Sequence, residues 1–413
     1  MNELSWIFLL AVIIYFILEL YLGRRHIVHI KSHRATVPDE FKSDIGLAEH
    51  KKAADYSIAR KKLGLIEAAY GAVLLLVWTL GGGFELFDKL WRTLEFNPVW
   101  TGIFFLLSVS LVMSLLELPF AWYRTFSLEE KFGFNKTTVK IFFTDLIKNA
   151  VLSLIIGVPL LWVVLWMMQS AGGNWWFYVW LVWLGFMLLM LLIYPTLIAP
   201  LFNKFKPLTD AELKARIDSL LERTGFKTNG IFVMDGSKRS GHGNAYFTGF
   251  GKSKRIVFFD TLLESLNPDE VEAVLAHELG HFKHNHIKKG ILLTAIMALA
   301  GLWVLGFLID KEWFYQGLGM STKSDYAALV LFFAVVPVFM FFITPVMSWF
   351  SRKNEYEADS FASKNASAND LITALVKMYK DNASTLTPDP LHSLVYDSHP
   401  PAPLRIAHIK QVR

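Results

Sequence analysis

The sequence predicts a mainly α-helical, polytopic membrane protein: seven transmembrane helices plus a small cytoplasmic α/β segment. Three observations carry that expectation. The chain of 413 residues is 54% hydrophobic and only 19% charged, more apolar than ordinary soluble domains of this size. Its apolar residues gather in uncharged runs of about 20 residues, the length a helix needs to cross a hydrocarbon layer roughly 30 Å thick. The remaining Lys and Arg cluster in alternate connections between those runs, as they do in membrane proteins of fixed orientation.

Seven runs qualify by length and apolarity: residues 4–22, 63–80, 99–118, 150–168, 176–199, 290–309 and 326–350. In the first run the basic cluster follows the apolar stretch and no small-residue cleavage site is evident, so it reads as a retained anchor and not a signal peptide. Residues 23–62 carry ten Lys and Arg, which places them in the cytoplasm and the N-terminus outside. Alternation then puts 81–98, 169–175 and 310–325 outside; each is poor in Lys and Arg, and several hold the Trp and Tyr of an interfacial belt. The long polar segments 202–289 and 351–413 fall inside. The chain thus divides into spans one to five (1–201), a first cytoplasmic segment (202–289), spans six and seven (290–350) and a second cytoplasmic segment (351–413).

Glu19, Glu67 and Glu117 lie within the spans, toward their cytoplasmic ends. Two readings stay open for them: pairing with Lys and Arg at the interface, or lining a water-filled cavity. The net charge of +5 comes with no nucleic-acid-binding motif, and topology accounts for it better, so no nucleic acid partner is expected. Cysteine is absent, which excludes disulfides, a thiolate nucleophile, iron–sulfur clusters and Cys-ligated zinc. Any metal must be held by His, Asp and Glu.

In the first cytoplasmic segment, Thr209 and Glu212 read as a capping box opening an amphipathic helix, with Leu213, Ile217, Leu220 and Leu221 on one face and Gly225 as its stop. Residues 230–234, 244–250 and 255–259 are β-rich, and residues 251–254 read as a hairpin between the last two. A second helix starts at Asn267 as cap, with Pro268, Asp269 and Glu270 in its first turn. No breaker appears before Gly290, so the stretch from His277 to His281 falls well inside a helix.

That second helix contains His-Glu-Leu-Gly-His, with His277 and His281 four residues apart on one face and Glu278 beside them. A catalytic zinc ion takes three protein ligands and leaves a fourth position to water, so a third ligand is required. Only a short outer loop joins spans six and seven, and the inner ends of such a helical hairpin must lie close together. Just past the return stands Asn-Glu-Tyr-Glu-Ala-Asp, 354–359, where Glu355 and Asp359 share a helical face and Glu357 points elsewhere. Glu355 is the candidate third ligand to one zinc ion per chain. Asp359 is the candidate acceptor for the free ring nitrogen of a ligating histidine. The plain alternatives are two solvated histidines and an exposed acidic helix start. In the metal reading, Glu278 takes a proton from the water that zinc activates and delivers it to the leaving amine, which is peptide hydrolysis. His284 and His286 leave the His277/His281 face and read as interfacial.

With these residues in place the chain resembles the M48 membrane zinc metallopeptidases, and among them the Ste24-type CAAX prenyl proteases. The likeness is densest in DGSKRSGHGNAYFTGFGKSKRIVFFD through HELGHFKHNH, in SRKNEYEADSFA and in SHPPAPLRI. It implies a seven-helix barrel around a hydrophilic chamber, closed on the cytoplasmic side by a zincin-like metalloprotease domain, and it agrees on Glu355 as third ligand. It also implies that the strand Asn244-Ala245-Tyr246 pairs with the substrate backbone by β-addition. His399 and Arg405 fall at positions expected to contact substrate or help stabilise an oxyanion, His399 on the catalytic side and Arg405 on the substrate side. GHGNAY departs from the more usual SHSNAY.

The expected activity is a zinc metalloendopeptidase acting at the cytoplasmic face on peptide or protein substrates, CAAX-type or membrane-associated and misfolded, and in some cases lipidated. The chain ends in IKQVR, without a KDEL-type retention signal. A bacterial plasma membrane is the expected location and the endoplasmic reticulum the alternative. A transporter or substrate-binding membrane protein with a non-catalytic zinc site is the competing class, and it leaves HELGH unused. Glu278 also argues against a purely structural zinc subunit, which needs no base.

Overall fold

The computed structural model describes residues 1–249 and 254–412. Asn2 opens α1 (Glu3–His33) with a capping box, each of Asn2 and Ser5 accepting from the other's backbone N–H at 3.1 Å. The expected first span is therefore the apolar start of a longer rod that carries Arg24 and Arg25 beyond it. α2 (Leu47–Trp78) also begins well before its apolar part, then meets three consecutive glycines. Gly82 takes φ +78°, a left-handed conformation open to glycine at little cost. A β-carbon at Gly81 would lie 2.7 Å from the Val77 carbonyl oxygen, so α3 (Gly83–Arg92) can leave α2 at a bend of 46° only because these residues lack side chains.

α4 (Pro98–Tyr123), α5 (Val139–Ser170) and α6 (Trp175–Ile193) follow as long apolar rods. Asn97 caps α4 by accepting from Trp100 N–H at 3.0 Å. A wide π-helical turn at Arg124–Glu129 continues α4, and another at Tyr194–Ile198 follows α6, where Pro195 removes a backbone donor. Among the described residues, six helical stretches are long and apolar enough to cross a membrane, and α2 with α3 as one bent span makes seven. The intramembrane carboxylates divide: Glu19 pairs with Lys61 at 2.8 Å and Glu67 with Arg124, whereas Glu117 is exposed.

After α7 (Ala199–Phe202) come β1 (Phe205–Pro207), α8 (Ala211–Thr224), β2 (Ile231–Met234), β3 (Ala245–Thr248), β4 (Arg255–Phe259) and α9 (Asp260–Ser265). The sheet order is β1-β2-β4-β3, with β2 and β4 parallel and the outer pairs antiparallel, so β3 is an edge. The strand expected over 244–250 runs from Ala245 to Thr248, and the hairpin expected at 251–254 falls largely outside the described residues. The cap of α8 is corrected: Asp210, not Thr209, accepts from Leu213 N–H at 2.9 Å. A carboxylate is the better partner for the positive end of the helix, and with Asp210 as cap Glu212 stands one position too early to close a box. Leu213, Ile217, Leu220 and Leu221 are buried, and Gly225 closes the helix at φ +71°.

α10 (Pro268–Lys283) opens on Asn267 as expected, in a capping box with Glu270 whose two hydrogen bonds are both 2.9 Å. It does not continue to Gly290. Asn285 takes φ +56° and α11 (His286–Leu308) begins after it. Asparagine tolerates this left-handed conformation better than most residues, so it ends a helix without the Gly or Pro that would announce it. α12 (Glu312–Gly317) lies in the connection between α11 and the next long helix. α13 (Asp325–Met340) passes through a short 3-10 turn into α14 (Thr344–Asn365), a run of 41 residues that starts apolar and ends polar. α15 (Ala368–Asp381), α16 (Pro390–Tyr396) and α17 (Ala402–Val412) complete the chain.

Two main cores result. One lies among the spans around Phe8, Ile103, Phe105, Leu165 and Leu331. The other joins the sheet to α8, α10, α15 and α17 through Ile217, Phe258, Leu275, Leu279, Leu371 and Ile409. The second core fixes α10, and α14 packs along it.

Candidate metal centre

α10 and α14 approach closely because Gly280 stands where they cross. A β-carbon there would lie 2.8 Å from Ala358 Cα, so the glycine between the two histidines and the alanine between Glu355 and Asp359 are complementary halves of one contact. That contact brings the ligating atoms together. His277 Nε2 lies 3.4 Å and His281 Nε2 3.3 Å from the Glu355 carboxylate, and the two nitrogens are 3.3 Å apart. The three candidate ligand atoms all lie within 4.8 Å of one another.

The donor set fits a divalent cation. Glu355 Oε2 is buried without an aligned hydrogen bond, although His399 Nδ1 approaches it to 2.8 Å. Oε2 faces the His277 nitrogen and Oε1 the His281 nitrogen, and a carboxylate with an orphan oxygen beside two imidazoles is what a cation with nitrogen and oxygen ligands would satisfy. Electrostatics point the same way. Burial and the Arg405 cation both disfavour protonated His277, yet the Asp359 and Glu355 carboxylates outweigh them and push its pKa up to about 9. The surroundings of this imidazole favour positive charge, which a bound metal also supplies.

Each candidate residue has a definite place. Asp359 is fully buried and its Oδ1 lies 2.8 Å from His277 Nδ1, the arrangement that fixes Nε2 as the metal-facing atom. Arg405 is also buried; its Nε donates to Asp359 Oδ2 at 2.9 Å and its Nη2 to Oδ1 at 2.5 Å. It stands behind Asp359, and its Nη1 reaches to 3.6 Å from Glu355. His399 is mostly exposed on the open side of Glu355. Glu278 is partly buried, next to His277 in α10. Asn244 is exposed just before β3, and Ala245 and Tyr246 lie on that edge strand, which packs against α10.

The sequence reading missed one group. His286, taken as interfacial, is buried with its Nδ1 3.0 Å from His281 Nδ1, and its Nε2 lies 3.0 Å from Glu357 Oε2. The turn at Asn285 makes this contact, since a continuous helix would carry His286 off the face of His281. Glu357 points away from the ligands, as expected, but toward this second histidine. The GHGNAY departure is not forced by packing: a β-carbon at Gly241 would meet its nearest neighbour at 3.8 Å and one at Gly243 at 3.4 Å, both ordinary contacts.

Comparison with known proteins agrees with this geometry. Residues 26–204 match the family model described as CAAX prenyl protease N-terminal, five membrane helices, and residues 207–413 match peptidase family M48. CAAX prenyl protease 1 of Saccharomyces cerevisiae is 35% identical over 96% of this chain and 93% of its own length. The homologue from Homo sapiens is 33% identical over 85% and 82%. The crystal structure of S. mikatae Ste24p superposes with a TM-score of 0.91 at 33% identity, covering 99% of both chains. The chain is therefore an integral-membrane metallopeptidase of family M48 and belongs with the CAAX prenyl protease 1, or Ste24, group.

Proposed function

We propose that this chain is a zinc endopeptidase that cuts CAAX-type, prenylated protein substrates at the cytoplasmic face of its membrane, with one zinc ion held by His277, His281 and Glu355. The single observation that carries the reading is the meeting of those three side chains around the orphan oxygen of Glu355. When bound, zinc supplies an acidified water and polarises the scissile carbonyl. Glu278 accepts the proton from the attacking water and returns it to the leaving amine. Asp359 holds the His277 ring by its Nδ1, and the burial of Arg405 supports a role in anchoring Asp359 more than direct contact with peptide. His399, mostly exposed with its Nδ1 beside Glu355, stands on the open side where it would donate to the oxyanion. The unpaired edge of β3, from Asn244 through Tyr246, suits addition of an extended substrate strand.

The cytoplasmic side follows from the Lys and Arg bias of residues 23–62. For the membrane, the sequence expectation is a bacterial plasma membrane and the alternative is the endoplasmic reticulum; the eukaryotic sources of the relatives named above support the alternative. In purified, metal-loaded protein, Glu278→Gln is expected to lower turnover of a prenylated CAAX peptide by about 10²–10⁴-fold, with metal content and thermal unfolding unchanged. Turnover within a few-fold of the parent would remove Glu278 as the base.

A further inference from the structure

A second polar cavity, of about 520 Å³, opens between α1, α2, α4 and α16. His392 of α16 lines it, is 8% exposed, and has no hydrogen-bond partner on either ring nitrogen. One face of its ring is stacked on His26, with centroids 3.9 Å apart. Burial, aided by the neighbouring His26 and Lys61, drives its pKa down to about 3, so the ring is neutral and carries one donor and one acceptor. Buried polar groups are rarely left unmatched, and this one belongs to a residue on the wall of a cavity.

The charges around the cavity are unequally committed. Lys61 is paired with Glu19 and Arg124 with Glu67. Arg60 has no carboxylate within ion-pairing distance among the described residues, and it rests 5.5 Å from the ring of Tyr56. Of the other acids on the wall, Glu129 accepts from Tyr56 Oη at 2.6 Å through Oε1, while its Oε2, 3.5 Å from His242 Nε2, is buried without an aligned hydrogen bond; Asp397 accepts from Ser393 Oγ at 2.6 Å. A guanidinium without a carboxylate and a donor without an acceptor on the wall of one cavity make a receptor for a carboxylate.

The cavity also lies at a fixed reach from the metal ligands. Asp397 is on its wall, and its carbonyl accepts from Arg352, one turn ahead of Glu355, at 2.8 Å. Two residues further on, His399 meets Glu355, and two residues of chain span at most about 7 Å. A CAAX substrate ends three residues past its prenylated cysteine, about 10 Å when extended.

We propose that this cavity receives the substrate's C-terminal carboxylate, with Arg60 and His392 as its donors. The proposal rests on the CAAX protease reading and adds a measuring device to it: the free chain end, and not only the lipid, sets which bond reaches the metal.

The test compares prenylated CAAX peptides ending in a free acid or in an amide, on metal-loaded protein. The parent is expected to favour the acid by about 10- to 100-fold in kcat/KM, mainly through KM. In Arg60→Gln that ratio falls to within about threefold at unchanged metal content, in Arg60→Lys it recovers in part, and in His392→Phe it shrinks. Equal cleavage of both peptides by the parent, or a full ratio retained in Arg60→Gln, overturns the subsite while leaving the protease reading standing. Failure to cleave either peptide overturns both.

Discussion

The two candidate histidine ligands stand on one helix face but rest on different foundations. His277 leans on Asp359, a fully buried carboxylate gripped by the buried Arg405. His281 leans on another imidazole, His286, whose own anchor Glu357 has a side chain 34% exposed. Charge and burial make the first support stiff, because neither partner can leave without stranding the other's charge away from water. The second is a chain of neutral or solvent-screened contacts that rearranges at little cost. One ligand is set by the interior of the fold and the other by its surface.

That asymmetry can be broken by substitution. Asp359→Ala should have the largest effect: it leaves Arg405 buried without its carboxylate, destabilising the fold by about 3–5 kcal/mol in denaturant unfolding, and it weakens metal affinity by about 100-fold in chelator competition. Gly280→Ala should come next. Its new methyl meets the Ala358 backbone, which has no flexible end to give way, so overpacking is expected to lower stability by about 1–3 kcal/mol, with loss of metal as α10 and α14 separate. His286→Ala should weaken metal affinity by about tenfold with little change in unfolding. Glu357→Gln should fall within about threefold, given its exposure. A His286→Ala protein that lost as much metal as Asp359→Ala would show that the two supports are equivalent, and the contrast would fail.

Much of the site was legible in the sequence because its signals are periodic. His277 and His281, like Glu355 and Asp359, are four positions apart, and such spacings survive any error in helix ends. The seven spans were legible for a similar reason, since a run of apolar residues averages over local detail. What escaped depended on single contacts. The end of α10 rests on one asparagine adopting a left-handed conformation, so His286 was assigned to the wrong face. The cap of α8 depends on whether Thr209 or its acidic neighbour turns toward the helix. The fit of Gly280 to Ala358 joins residues 78 positions apart, and nothing in either local stretch announces it.

The seventh span and the helix bearing Glu355 form one helical run, Asp325 to Asn365. Glu355 rides on the far end, past the 3-10 turn at residues 341–343 and held to α10 where Ala358 meets Gly280, so the run that crosses the membrane delivers a carboxylate to the histidines with no loop in between.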